Sequence, residues 1–162
     1  MRLPRSRTSA NRIITLPVGH SDSGRPPPRV LVCDDNASVT KLLELMFGLE
    51  GWAVEVAVNG WDALVRLADC WPDVVVLDHE MAGPTGLSGL EVAAIARDDG
   101  FDRPIVLFSA HLNHATQVRA DELGLLQVSK VDFPAVVLQV TAAHQEYVAA
   151  GARSAIPGRS GT

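Results

Sequence analysis

The sequence predicts an open α/β sheet of five parallel strands with helices on both faces. Three observations carry that expectation. Short apolar runs alternate with helix-patterned stretches five times along the chain, the order of a parallel sheet built through right-handed crossovers. The run Val74-Val75-Val76-Leu77 holds no polar residue, as a strand requires when helices cover both sides of it. The chain has 162 residues, 47% hydrophobic and 20% charged, which suits one ordinary globular core and excludes a fibrous repeat or wholesale disorder.

Val30-Leu31-Val32-Cys33 reads as the first strand. Val39, Leu42, Leu43, Met46 and Phe47 follow at i, i+3, i+4, i+7 and i+8, an amphipathic helix stopped at Gly51. Val54, Val56 and Val58 alternate as a second strand. Asn59-Gly60 then turns the chain into a short helix bearing Ala63, Leu64 and Leu67, ended by Pro72. After the third strand at 74–77 the same beat continues with a helix near 88–98 and a strand at Ile105-Val106-Leu107-Phe108. A helix near 113–123 stops at Gly124, a strand covers about 125–129, and a last helix runs from about Pro134 to Ala149. Pro134 suits a first helical turn, and Asp132 is placed to cap it.

Both ends differ in composition from this body. Residues 1–28 mix Arg, Ser, Pro and Gly and end in Pro26-Pro27-Pro28, which reads as a disordered basic tail and a Pro-rich linker. Residues 29–149 form the folded domain, and the Gly/Ser/Arg-rich residues 150–162 read as a second disordered tail. Six arginines against Asp22 make residues 1–29 basic, while the rest of the chain carries a net charge of −10. An acidic body argues against nucleic acid as a partner. No stretch is apolar enough to insert in a membrane. Cys33 and Cys70 are too few for a disulfide scaffold and read as reduced thiols in apolar stretches, so the cytoplasm is the expected location.

In a sheet of this kind, ligands bind beyond the carboxyl ends of the strands. There the sequence places Asp34-Asp35, Asp78, Ser109-Ala110 and Ser129-Lys130. An Asp after one strand is ordinarily a cap or turn residue, and a lone Lys is ordinarily solvated. Four such ends at one sheet edge are not explained as caps. Crowded carboxylates call for a divalent cation. Mg2+ takes oxygen ligands and is commonly completed by a phosphate, whose charge a lysine and a hydroxyl can share.

The segments V-L-V-C-D-D-N at 30–36, V-V-V-L-D-H-E-M at 74–81, G-L-E at 89–91, I-V-L-F-S-A at 105–110 and V-S-K at 128–130 resemble the receiver domain of two-component response regulators. The intervals of 43 positions from Asp35 to Asp78 and 21 from Ser109 to Lys130 are similar to that family's. The resemblance implies a flavodoxin-like (βα)5 receiver fold. By it, Asp78 is the phosphoacceptor, and Asp34, Asp35, Asp78 and the backbone carbonyl of Glu80 hold Mg2+. Ser109 becomes the switch hydroxyl with Ala110 beside it, and Lys130 the phosphate-contacting lysine. The phosphoryl donor is then a sensor histidine kinase or a histidine phosphotransfer protein. Output passes to an unknown downstream protein, with room for a homodimer, because too few residues follow Ala149 to form an output domain.

Several positions depart from the pattern. Ala82 stands where proline is usual, and matching Gly89-Leu90-Glu91 to the next helix start inserts about three residues, whereas matching Gly86-Leu87 moves the extra length into the helix. Gly83, Gly86 and Gly89 suggest a mobile loop. Gln127 occupies a position that is commonly aromatic, and Val131 follows the lysine in place of proline. His79 reads as a solvent-facing loop residue, His111 and His114 lack a third ligand for a metal, and Trp52, Trp61 and Trp71 read as core or rim packing. Two other readings compete. One is a degenerate receiver that binds a partner constitutively. The other is a phosphatase of the haloacid dehalogenase type, which wants D-x-D after its first strand where this chain has Asp34-Asp35-Asn36.

Overall fold

A computed structural model describes residues 24–81 and 86–154. Its elements follow in the order β1 (Arg29–Cys33), α1 (Ala37–Leu49), β2 (Ala53–Ala57), α2 (Gly60–Cys70), β3 (Val74–Asp78), α3 (Gly89–Asp98), β4 (Ile105–Ser109), α4 (His114–Glu122), β5 (Leu126–Ser129) and α5 (Phe133–Ser154). The five strands pair in parallel in the order β2-β1-β3-β4-β5. β3 and β4 are buried at every residue, while the alternating β2 lies half-buried at one edge.

Side-chain alternation along the strands divides the interior into two cores. Val30, Val32, Val74, Val76, Val106 and Phe108 pack against Leu43 and Phe47 of α1 and Val136 and Val140 of α5. Leu31, Cys33, Val75, Leu77, Ile105 and Leu107 pack on the opposite face against α2, α3 and Ala120 of α4. A period of two in the strands thus meets a period near 3.6 in the helices on both sides.

Local signals set most helix ends. Asn36, Asn59 and Asn113 cap α1, α2 and α4 with their side-chain oxygens, and Asp132 Oδ1 accepts from Ala135 N at 3.0 Å at the start of α5. α3 starts at Gly89, which favours the match of Gly89-Leu90-Glu91 to the helix start over that of Gly86-Leu87. Ser88 and Glu91 form a reciprocal capping box there. Gly86 is exposed, but Gly89 is not a hinge: a Cβ on it would meet the Asp78 carbonyl oxygen at 2.3 Å, so only glycine allows α3 to approach the end of β3. The expectations for Ala82 and Gly83 lie outside the described residues, as does that for residues 1–23.

α5 runs to Ser154, past the end expected at Ala149 and into the segment read as a tail. A single Gly151 costs about 1 kcal/mol in a helix, and the neighbouring alanines and Arg153 favour continuing. Among the tryptophans, Trp52 is core, packed edge-on to Phe47 and His144, whereas Trp61 and Trp71 remain largely exposed. No helix among the described residues is long and apolar enough to cross a membrane.

Candidate functional site

β1 lies between β2 and β3, so the crossovers leaving β1 and β3 pass to opposite faces and open a crevice at their carboxyl ends. Cys33 is level with Leu77, which sets Asp34 beside Asp78, the last residue of β3. Asp34 Oδ1 accepts from Asn36 N at 2.9 Å, and Asp78 Oδ1 from Glu80 N at 3.2 Å, fixing each carboxylate. Exposed Asp35 completes the group: ligand oxygens of Asp34, Asp35 and Asp78 all lie within 4.8 Å of one another.

Lys130 follows β5, two strands away from β3. Its backbone N–H donates to Ser109 O at 3.0 Å, and its ammonium stands 2.5 Å from Asp34 Oδ2 and 2.9 Å from Asp78 Oδ2. Both aspartates are almost fully buried. Burial pushes the Asp78 carboxyl pKa up, with the Asp34 charge adding to the rise while Lys130 and the Glu80 N–H oppose it. Burial would depress Lys130, but hydrogen bonding and charge from Asp34 and Asp78 outweigh it and raise its pKa. Beneath them Cys33 is buried, 3.1 Å from Met81 Sδ, and its thiol is pushed up to about 12 by burial and then by Asp34, Asp62, Asp78 and Asp35. It is an inert protonated thiol, as a buried structural cysteine should be.

One lysine cannot neutralise three carboxylates. Hard oxygen donors converging at a crevice mouth, one of them solvent-exposed, suit a hard cation that keeps waters and takes further oxygen ligands, which is the preference of Mg2+. His111 and His114 are both exposed and belong to no comparable cluster among the described residues.

The β4–β5 side is arranged differently. Ser109 is buried, and its hydroxyl is engaged with its own loop, donating to His111 O at 3.2 Å and accepting from His111 N at 3.3 Å. Ala110 follows it at the surface. Gln127 points toward α4, donating from Nε2 to Asp121 Oδ1 at 2.8 Å and to Gln117 O at 3.4 Å. Val131 is 87% exposed, and its N–H points back to Ser129 Oγ at 3.5 Å. His79 is half-buried rather than solvent-facing. Its Nε2 lies 3.5 Å from Oγ1 of the buried Thr116 on α4.

A family model described as the response regulator receiver domain matches residues 30–133. The chain belongs to this family. Among curated relatives, the response regulator MprA of Mycobacterium sp. (strain KMS) is 37% identical over 98 residues, covering 60% of this chain and 41% of MprA. The chain therefore spans about two-fifths of that relative's length. Among solved structures, the response regulator TrrA of Thermotoga maritima, in complex with Mg2+ and BeF, is 30% identical with a TM-score of 0.63, covering 72% of this chain and 98% of TrrA. The Francisella response regulator 1452 receiver domain is 24% identical with a TM-score of 0.68, covering 74% and 98%, which supports the same fold. Response regulator receivers of two-component systems bind Mg2+ at an acidic pocket, and the Asp34, Asp35 and Asp78 cluster fits both that ion and aspartyl phosphorylation. They are in general signalling phosphoacceptors rather than classical enzymes.

Thr116 and the Ser88-x-x-Glu91 capping box matter here and have no place in the sequence reading, although the box is a readable signal for the start of α3. Gly89 is legible as a loop glycine and a helix start, but not as the close approach to Asp78 that excludes any side chain there.

Proposed function

We propose that this receiver accepts a phosphoryl group on Asp78 from a histidine kinase or a histidine phosphotransfer protein in the cytoplasm, and signals through protein contacts. The observation that supports this reading best is the Lys130 ammonium bridging Asp34 and Asp78 inside a cluster of three carboxylates. Asp34, Asp35, Asp78 and the Glu80 backbone carbonyl would hold Mg2+. Bound there, the ion supplies positive charge against the phosphoryl oxygens and the attacking carboxylate. An Asp78 carboxylate oxygen attacks phosphorus, the P–N bond of the donor phosphohistidine breaks, and the electron pair stays on the imidazole nitrogen, which takes up a proton.

On transfer, Asp78 loses its own charge, which frees Lys130 to pair with a phosphoryl oxygen. Lys130 then remains between Asp34 and the new group. The Ala110 N–H and the Ser109 hydroxyl supply further hydrogen bonds. Ser109 must give up His111 to do so, and this exchange links acylphosphate formation to the loop leading into α4.

Intact-protein mass after incubation with a small phosphodonor tests the assignment. Wild type should gain one phosphoryl group with Mg2+ and little without it, and Asp78→Asn should gain none. An unmodified wild type, or a variant modified to the same extent, overturns it. Asp35→Asn should weaken Mg2+ in a fluorescence or calorimetric titration, and an unchanged titration would remove Asp35 from the metal site.

A further inference from the structure

α2 has features that play no part in the acidic site. It is polar at only three positions, Asp62, Arg66 and Asp69, which share one stripe at i, i+4 and i+7. A surface helix ordinarily has one apolar stripe, and α2 has two. Gly60, Ala63 and Leu67 are buried, while Trp61 and Val65 on the other stripe are each 59% exposed. That second stripe continues over Leu64 and Ala68 to Trp71, where a cleft of about 320 Å³ opens between α2 and α3 with Ile95 and Phe101 on its far wall.

Trp71 ends α2 with φ +42, a left-handed conformation that strains a bulky residue and that glycine would adopt freely. Its ring packs edge-on to Phe101 at 5.4 Å, and its carbonyl accepts from Arg103 at 2.9 Å, so the indole is held at the cleft mouth while 44% exposed. Exposed tryptophans beside an apolar cleft are the usual anchors of protein interfaces.

Asp99 lines the cleft, and Asp69 and Asp98 are its exposed acidic neighbours along α2 and α3. None of the three makes an ion pair among the described residues. The nearby arginines are already engaged: Arg66 with Glu55 and Asp62, and Arg97 with the carbonyls of Leu123, Phe101 and Arg103. A second copy seated here about a two-fold axis would bring like charges together. A basic partner would not.

We propose that the α2–α3 face docks an amphipathic segment of another protein, apolar on one side and flanked by lysine or arginine. An apolar anchor fills the cleft beside Trp71, and the flanking cations pair with Asp69, Asp98 and Asp99. The carboxyl ends of α2 and α3 lie at the sheet edge opposite Asp78, so this contact needs no phosphorylation and is measured without a phosphodonor.

The test is fluorescence anisotropy on the whole chain with two labelled synthetic peptides. Both carry leucines at helical spacing, one with lysine flanks and one with glutamate flanks. The lysine peptide should bind at least about tenfold tighter, roughly 1.4 kcal/mol, and its advantage should shrink with added salt. Val65→Asp with Ala68→Glu should abolish binding, and Asp98→Lys with Asp99→Lys should reverse the preference. Leu138→Asp, in the groove between α1 and α5, should change nothing. These positions are exposed, and circular dichroism checks that each variant folds. Equal binding of both peptides, binding that survives Val65→Asp with Ala68→Glu, or loss on Leu138→Asp overturns the proposal. So does a concentration-dependent dimer, seen by sedimentation, that Val65→Asp dissociates, since that assigns the face to a second copy.

Discussion

α3 and α4 are of similar length and sit on the same face of the sheet, yet they are held in different ways. α3 buries Gly89, Val92, Ala93 and Ala96, starts with a capping box and touches the end of β3 through Gly89. α4 buries only Thr116 and Ala120, and its other ties are polar: His79 to Thr116, and Gln127 to Asp121 and Gln117. Apolar burial is lost only by exposing the surface to water, whereas a half-exposed hydrogen bond can be exchanged for one to water at a cost of about 1 kcal/mol. Thus α3 is fastened to the carboxylate end of the sheet, and α4 is the neighbour free to respond to it.

The largest effect should come from breaking the anchored side. In Gly89→Ala the new Cβ would lie 2.3 Å from a backbone oxygen, so no rotamer change relieves it and β3 or α3 must shift. Overpacking of this kind costs about 1–3 kcal/mol, and the upper end is expected because backbone moves on both sides. Urea unfolding measures it. A loss well under 1 kcal/mol would mean that α3 is not fastened as described.

A smaller effect is expected on the tethered side. Gln127→Ala removes two hydrogen bonds from a half-exposed side chain, and the loss of stability should be about 1 kcal/mol or less. Amide exchange should rise across His114–Glu122 and stay unchanged across Gly89–Asp98. With beryllofluoride and Mg2+, which mimic the acylphosphate, the protection changes should again centre on α4 and on the loop before α3. Changes confined to β5 and abolished by Gln127→Ala would instead assign the response to that side chain alone.

The sequence reveals this contrast only in part. Strand-end residues are legible because β1, β3 and β4 have apolar runs that stop abruptly and the alternating beat places β5 near 125–129, and the parallel topology then forces Asp34, Asp78, Ser109 and Lys130 to one edge. Asp132 as a cap is legible for a local reason, since its partner Ala135 is three residues away. Gly89 is not, because the clash that demands glycine comes from Asp78, eleven positions earlier, and local composition suggests only mobility. His79 fails as a solvent-facing reading, and the hydrogen bonds of Gln127 go unannounced, for a similar reason: their partners lie on α4, a helix whose sequence carries almost no apolar periodicity to announce where it packs.

The smallest effect tests whether the anchored end has an electrostatic cost that α4 does not share. Asp78 has its carboxyl pKa raised in the fold, chiefly by burial and further by Asp34, so the folded chain binds its proton more tightly than the unfolded chain does. Stability attributable to Asp78 is therefore greatest below the ordinary carboxylate range and falls as pH rises through the raised value, the reverse of a salt-bridged carboxylate with a depressed pKa. Lys130 does not interfere in that window. Its raised pKa makes its contribution fully present below the ordinary lysine value and lost only as pH climbs through the raised one. Asp78→Asn removes the titration, so without Mg2+ the wild type should lose stability relative to the variant as pH rises above the ordinary Asp value, then run parallel to it. Adding Mg2+ should shrink the gap, because a cation on the carboxylates favours their charged forms. Thermal unfolding across mildly acid to neutral pH, with and without the ion, measures both. If instead the wild type gains on Asp78→Asn as pH rises, the Lys130 bridge outweighs burial, and the acidic end is held without the cost ascribed to it here.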